Sequence, residues 1–460
     1  MDNLTEDVLL VVLRELYNQR HGTRKLAQFE MIGNKAARLT RAYFSQNLKK
    51  LIIRAPKNTP TSISLNGCMF RGNQDSRDDF DQMPVFMESI QSCLVYLLSR
   101  ASVINTLITS GFFKFNTGIP QFHQIAQLLA DCPKVRLKTL RLTPFWSQLL
   151  TSVLVNNSFA LKTLFMTTIG IDDPLEKLNL SLDKFMLNIS SANAVAQHHR
   201  LKNLLALLTE GGSRAEHLLI KCGFVASMYG QENDAIFASL IQQLAPSSLM
   251  WNGILINYFG FGTVEDGDIT QPGSWLEIAL KNGTVIESLR RLDIKQAYLQ
   301  NWGQAPFNFI NLKKCLPNLQ TLHISSSYQI DLYTEIAKIR HFITDLFENW
   351  HTLEVKADFR FLRLARHAAV IDFTEEQKDI VLNEPSMLKA ALPNLALIKT
   401  CSRDHRHLQP KLAIVSTGKA IVTLEFIVDA CNPGDHQPIG GVAGTVHRPK
   451  EEDKCNFLRE

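Results

Sequence analysis

The sequence predicts an α/β chain in which helix–strand units stack one on the next behind a small helical module. Three observations predict it. A short apolar phrase, Leu-x-x-Leu-x-(Leu/Ile/Val/Met), keeps returning. Segments with helical periodicity lie between its copies. The first 46 residues carry a wide apolar stripe at helical spacing. The fourth and sixth positions of the phrase are two apart, so on a strand they share a face. A unit of this size cannot bury its leucines alone, and recurrence therefore implies a stacked array rather than one closed core.

The N-terminal module spans residues 1–46. Leu4, Val8, Leu9, Val12, Leu13 and Leu16 form the stripe of a first helix. Thr5 is placed to cap it, and Glu6 and Asp7 favour its positive N-terminal end. After a break over Gln19–Gly22, a second helix is predicted from Thr23 to Phe44, with Leu26, Phe29, Ile32 and Ala36 on one face and an interruption at Gly33.

The repeat region is predicted over 47–430. The phrase stands at Leu48-Leu51-Ile53, Leu137-Leu140-Leu142, Leu161-Leu164-Met166 and Leu175-Leu178-Leu180. It returns at Leu289-Leu292-Ile294, at Leu319-Leu322-Ile324 and, with Trp in first place, at Trp350-Leu353-Val355. The spacing drifts, from 24 residues between Leu137 and Leu161 to 30 between Leu289 and Leu319 and 31 between Leu319 and Trp350. Between Gln197 and Trp275 it blurs, with Leu201-Leu204 and Met250–Ile256 as worn copies. Residues 55–84, with Pro56, Pro60, Gly67, Gly72 and Pro84, read as a loop insertion holding at most one strand around Ile63 and Leu65. Helices are predicted at Ile119–Asp131 and Asn308–Cys315, stopped by Pro133 and Pro317, and at Glu335–Asn349. Ala391–Leu395 copies the Leu316–Leu319 junction, and Ile421–Phe426 reads as the last strand. The Gly- and Pro-rich residues 431–460 read as a disordered tail.

Composition narrows the function classes. Hydrophobic content of 45% is ordinary for a folded chain. The net charge of +5 is concentrated in residues 1–60, where eleven Lys/Arg face five Asp/Glu, so the whole chain is not expected to bind nucleic acid. No secretory signal is expected, since Asp2, Glu6 and Asp7 stand where a basic segment belongs. No apolar run approaches the roughly 18–20 residues of a membrane span. Eight scattered cysteines suit reduced thiols of the cytosol or nucleus.

Motifs for chemistry are sparse. Asp404, His405 and His407, or His198 and His199, form no complete metal-ligand spacing. The Gly440–Thr445 stretch lacks the lysine of a phosphate loop. Glu375 and Glu376 follow Thr374 as a capping box does. No Gly-x-Ser-x-Gly, His-Glu-x-x-His or Cys-x-x-Cys is present. The expectation is a protein without catalytic residues, cofactor or metal.

Helix–strand units carrying Leu-x-x-Leu-x-Leu resemble leucine-rich repeats. That family's polar ladder residue, Asn or Cys three places after the phrase, is replaced here by Phe145, Ile169, Ala297, Ser327 and Asp358, which favours an irregular solenoid of parallel strands and outer helices. The module resembles an F-box, whose opening Leu-Pro-x-Glu-(Val/Ile)-Leu-x-x-Ile-Phe-x-x-Leu is matched at every apolar place from Leu4 to Leu16. Thr5 replaces its proline, Asp7 its glutamate, and Ala36 stands where Trp or Phe is common. The resemblance implies a substrate receptor of an SCF-type ubiquitin ligase. The module would dock a Skp-type adaptor, and through it a cullin–RING ligase, while the repeats hold a protein target. An acidic adaptor, as in that family, suits the basic N-terminus. A leucine-rich-repeat scaffold unrelated to ubiquitin is the alternative.

On this reading the adaptor-binding residues are Leu4, Val8, Leu9, Val12, Leu13 and Leu16, with Phe29 and Ile32, some of which must instead hold the module's own core. Candidate target-binding residues are Arg141, Asp293, His323 and Glu354, which stand between the leucines of a phrase, as Asn179 does. Four places after a phrase stand Trp146, Tyr298, Tyr328 and Phe359. These rings either anchor a partner at one rim or enter the loop to the next helix and pack in the core.

Overall fold

The structure, a computed structural model, describes residues 5–18, 22–54, 62–66, 68–71, 83–110, 120–142, 153–154, 156–167, 177–189, 194–222, 231–253, 275–295, 308–328, most of 341–349, 353–363, 395–400, 411–417 and 420–428. It is an α/β array. Three helices, α1 (Glu6–Asn18), α2 (Gly22–Glu30) and α3 (Asn34–Asn47), pack on one another at the N-terminus. The strands and helices that follow are β1 (Lys50–Arg54), β2 (Ser62–Leu65), β3 (Cys68–Arg71), α4 (Met83–Arg100), β4 (Ile104–Ser110), α5 (Pro120–Asp131), β5 (Val135–Arg141), β6 (Thr163–Thr167) and β7 (Ser181–Ile189). Then come α6 (Ala194–Thr209), β8 (Arg214–Cys222), α7 (Gln231–Leu244), β9 (Ser248–Gly253), α8 (Trp275–Lys281), β10 (Arg291–Lys295), α9 (Phe309–Cys315), β11 (Thr321–Tyr328) and β12 (Glu354–Arg363). The last strands are β13 (Leu395–Thr400), β14 (Lys411–Thr417) and β15 (Ala420–Val428).

All described strands join one sheet, and its order is almost the order of the chain: β13-β14-β15-β12-β11-β10-β9-β8-β7-β6-β5-β4-β1-β2-β3. Every pairing from β1 through β12 to β15 is parallel, apart from the β2–β3 branch. Strand order never reverses within this parallel run. It therefore lacks the switch-point crevice where doubly wound sheets bind ligands. One-directional growth with neighbouring helices α6–α9 packed in sequence is compatible with a repeat solenoid.

The fourth-position residues line up in register from strand to strand. Leu51 pairs with Leu107, Leu107 with Leu140, Leu140 with Leu164 and Leu164 with Phe185. Phe185 pairs with Leu218, Leu218 with Leu249, Leu249 with Leu292, Leu292 with Leu322, and Leu322 with Val355. Each is buried, and full burial of one such side chain stabilises by roughly 1.5–3 kcal/mol. The helices supply the opposing wall. Phe237 of α7 and Trp275 of α8 meet Trp251 at ring-centroid distances of 5.3 and 5.9 Å.

With no regular Asn or Cys ladder, individual polar side chains satisfy the backbone between units. Buried Asn157 accepts from the Leu137 amide at 2.7 Å and donates to the Val153 carbonyl at 2.9 Å. Buried Ser213 donates to the Leu178 carbonyl at 2.6 Å and accepts from the Leu180 amide at 3.0 Å. Asn308 caps α9 by accepting from the Asn311 amide at 2.7 Å. Lys134 ends α4 by donating to the Leu98 and Ser99 carbonyls at 3.0 and 2.9 Å. The turn after α6 depends on glycine twice: Gly212 has φ +75°, and a Cβ on Gly211 would collide with the Leu178 backbone.

Several expectations are corrected. The second helix of the module divides into α2 and α3 around Met31–Gly33, and the module's last helix ends at Asn47. The 55–84 segment contains two strands rather than one; β2 and β3 form an antiparallel hairpin beside β1, with Asn66 at its turn at φ 47°. Leu178 and Leu180 lie in an irregular lead-in, and the strand copy is Leu182-Phe185-Leu187. Leu201 and Leu204 are buried on α6, not on a strand. In the last phrase the register places Val355 rather than Leu353 opposite Leu322, so the copy is shifted by two. Leu395 opens an antiparallel strand instead of a further parallel unit. The tail at 431–460 lies outside the described residues.

Ladder positions carry the stability. Phe185→Ala is expected to cost about 3–5 kcal/mol, whereas Lys202→Ala on the exposed side of α6 should change stability by less than about 0.5 kcal/mol. Urea unfolding followed by circular dichroism compares them.

Candidate functional site: the exposed face of the first helix and the open face of the sheet

Helix α1 is apolar on more than one face, because Val8–Leu13 is an unbroken apolar run. One stripe is used internally: Leu9 and Leu13 are buried, and Leu16 packs against the same core. The other faces solvent. Val8, Val11 and Val12, at i, i+3 and i+4, are 46%, 59% and 36% exposed. Met31 and Ile32, between α2 and α3, are 86% and 48% exposed. Isolated exposed apolar residues are ordinary, but a stripe of three along one helix is a surface that gains by being covered.

This divides the expected adaptor set. Val8, Val12 and Ile32 stand at the surface. Leu9, Leu13 and Phe29 are corrected to core residues of the module: they hold the helices together and are not presented to a partner. Leu4 lies outside the described residues. Val11 and Met31 belong to the exposed apolar surface and were not foreseen. A helix apolar on more than one face gives no clear sequence signal to separate its inner stripe from its outer one.

The module is tied to the array through Glu30, at the end of α2. Its carboxylate accepts from Arg41 of α3 at 2.9 Å, from Arg100 of α4 at 2.9 and 3.2 Å, and from the Tyr96 hydroxyl of α4 at 2.5 Å. The Arg100 guanidinium also lies 4.0 Å from the Tyr96 ring centroid. Burial alone would raise the Glu30 pKa. The hydrogen bonds from Arg100, Tyr96 and Arg41 outweigh it and hold the carboxyl at about 2. Burial and the bond to Glu30 push the Tyr96 hydroxyl up.

On the sheet, the residues between the leucines form rows on the face opposite the ladder. Arg141 is exposed at the end of β5, its guanidinium 5.9 Å from the Phe165 ring centroid on β6. Asp293 and His323 are register neighbours. Asp293, a candidate for target binding, is buried: it accepts from Arg291 at 2.9 Å and lies 3.3 Å from His323 Nδ1. Burial raises its pKa, but the bonds from His323 and Arg291 bring it below the ordinary value. Glu354 is exposed at the first position of β12.

The aromatic row is not assembled as expected. Tyr328 and Phe359 belong to strands rather than connecting loops, paired in register with Phe361 and Ser326. Trp146 and Tyr298 lie outside the described residues. Asn179 is exposed in the lead-in to β7. Among the described residues, no group of three or more His, Cys, Asp or Glu could hold a metal ion, and no helix is long and apolar enough to cross a membrane. The Asp404–His407 group, Glu375–Glu376 and Gly440–Thr445 lie outside them.

Comparison with protein-family models, curated proteins and solved structures finds no match for this chain.

The Glu30 cluster predicts an acid dependence. A carboxyl titrating at about 2 when folded, against 4.5 otherwise, stabilises the fold fully above pH 4.5. That contribution is lost as pH falls from 4.5 toward 2. Glu30→Gln is expected to lower thermal stability at neutral pH and to flatten the acid limb of melting temperature against pH.

Proposed function

We propose that this chain is an F-box/leucine-rich-repeat substrate receptor of an SCF-type ubiquitin ligase. The observation that carries the reading is the solvent-facing stripe Val8, Val11 and Val12 on the first helix of a three-helix N-terminal module. That module precedes an array of stacked parallel strands. Full burial of an exposed valine is worth about 1.5–3 kcal/mol. These three are 46%, 59% and 36% exposed, so the stripe, with Ile32 beside it in the set, offers an adaptor helix roughly half that gain per residue. Supporting it from the sequence is the match of every apolar place between Leu4 and Leu16 to the F-box opening.

In this mechanism the chain performs no bond chemistry. The exposed stripe holds the adaptor, and the Glu30 cluster couples the module to the array. The open face of the sheet holds the target. Tethering target and ubiquitin-charged enzyme on one assembly raises the effective concentration of target lysines.

The test is retention of a Skp-type adaptor by purified full-length protein. Wild type should retain it, while Val8→Glu/Val12→Glu should lose roughly tenfold or more in affinity, since two buried apolar contacts become unpaired charges. The pair is solvent-exposed, so an unchanged melting temperature separates lost docking from lost folding. Failure of the folded wild type to retain the adaptor would sink the ligase reading and leave a scaffold that uses the array without ubiquitin.

A further inference from the structure

The open face of the sheet has a pattern that neither the leucine phrase nor the proposed ligase role requires. Following the register across the strands, the central row runs Phe165, Met186, Leu219, Met250 over β6 to β9. Phe165, Met186 and Met250 are part-exposed, and Leu219 is buried between its neighbours in the row. Adjacent strands are about 4.8 Å apart, so this apolar strip is about 14 Å long, the reach of roughly five extended residues. Parallel sheets ordinarily have both faces covered. Among the described residues the ladder and helices occupy one face, while the strip lies on the other.

Charge on that face is one-sided. Within the three rows centred on the strip, strands β1 to β9 contribute Lys50, Arg54, Arg141, Lys184 and Lys221 and no carboxylate. Asp183 and Glu216 lie one residue before the first of these rows, at the strand entries. Carboxylates enter the rows only at Asp293, which Arg291 and His323 already engage, and beyond it.

We infer that the strip from Phe165 to Met250, with its basic border, is a docking surface for an acidic peptide segment that carries apolar side chains among its Asp and Glu residues. The basic border steers and orients such a segment. The two methionines give the strip unbranched, adaptable side chains that mould to different apolar partners. Nucleic acid fits less well, because a Met/Leu strip offers phosphates nothing and only Phe165 could stack on a base. The inference rests on the reading of the open face as the target surface, but not on ubiquitin or on the adaptor.

The experiment is selection of a random linear peptide library on immobilised full-length protein. Selected sequences should be enriched in Asp/Glu and in Leu, Ile, Val or Phe, and depleted in Lys and Arg. A synthetic peptide of the best clone should bind more weakly as NaCl rises between about 50 and 300 mM. It should lose roughly tenfold in affinity to Met186→Glu/Met250→Glu, and comparably to Lys184→Glu/Lys221→Glu, with the melting temperature of each variant separating lost docking from lost folding. Val8→Glu/Val12→Glu should bind it as wild type does, so loss of the adaptor and loss of the peptide are read separately. The inference is overturned if no clone rises above background, if selected peptides lack acidic bias, or if their binding ignores the strip variants. Binding of an oligouridine RNA abolished by the same variants would assign the face to nucleic acid instead.

Discussion

Register holds this molecule together. From Leu51 to Val355, each ladder side chain sits directly beside its counterpart on the next strand. A one-residue slip at any strand would turn its buried set to the open face. Parallel strands cannot be joined by tight hairpins, so each step needs a crossover connection. The helices, the uneven unit lengths and the two-faced sheet all follow from keeping one ladder in line. Unit length can drift because the ladder constrains only where a strand pairs, not how far the chain travels in between.

The Glu30 cluster plays a different part. An ionised carboxylate with low exposure is costly unless hydrogen-bonded on several sides, and here three side chains on two helices satisfy it. Arg100 and Tyr96 belong to α4 and Glu30 to α2, so charge and geometry together fix how the N-terminal helices meet the first unit of the array. An apolar contact would be more forgiving. A buried carboxylate accepts few arrangements, and so the exposed valines of α1 and the open face of the sheet are held by one scaffold.

Much of the array was legible in the sequence, since Leu140, Leu164, Leu292 and Leu322 belong to phrases with the full spacing. The copies at Leu107, Phe185 and Leu218 carry no recognisable phrase, and the one at Leu249 reads one residue late, as Met250–Ile256. Three of them depart from the phrase in the first or sixth place, at Ile104 and Thr109, Ala215, or Trp251, and the other has Phe185 in the fourth. A motif with such substitutions is hard to tell from an amphipathic helix. Leu201 and Leu204 have the right separation but the wrong period around them, and α6 takes them. At the module the signal was apolar composition, which locates a helix and not its orientation. Only packing distinguishes Leu9 from Val8. The basic border of the open face was equally hidden, because Lys50, Lys184 and Lys221 are far apart in the chain and come to share one face of the sheet only through the register.

An array that grows by parallel addition has an inherent hazard: its last strand is a template for another. At one end β1 is followed outward by the antiparallel hairpin β2–β3, and at the other β12 and β15 are followed by the antiparallel strands β14 and β13. Each reversal changes the hydrogen-bond pattern offered to solvent, so the edge presented is no longer the one a further unit would match. The terminal strands thus act as full stops. They fix the number of units in the stack and discourage end-to-end joining of one molecule to the next.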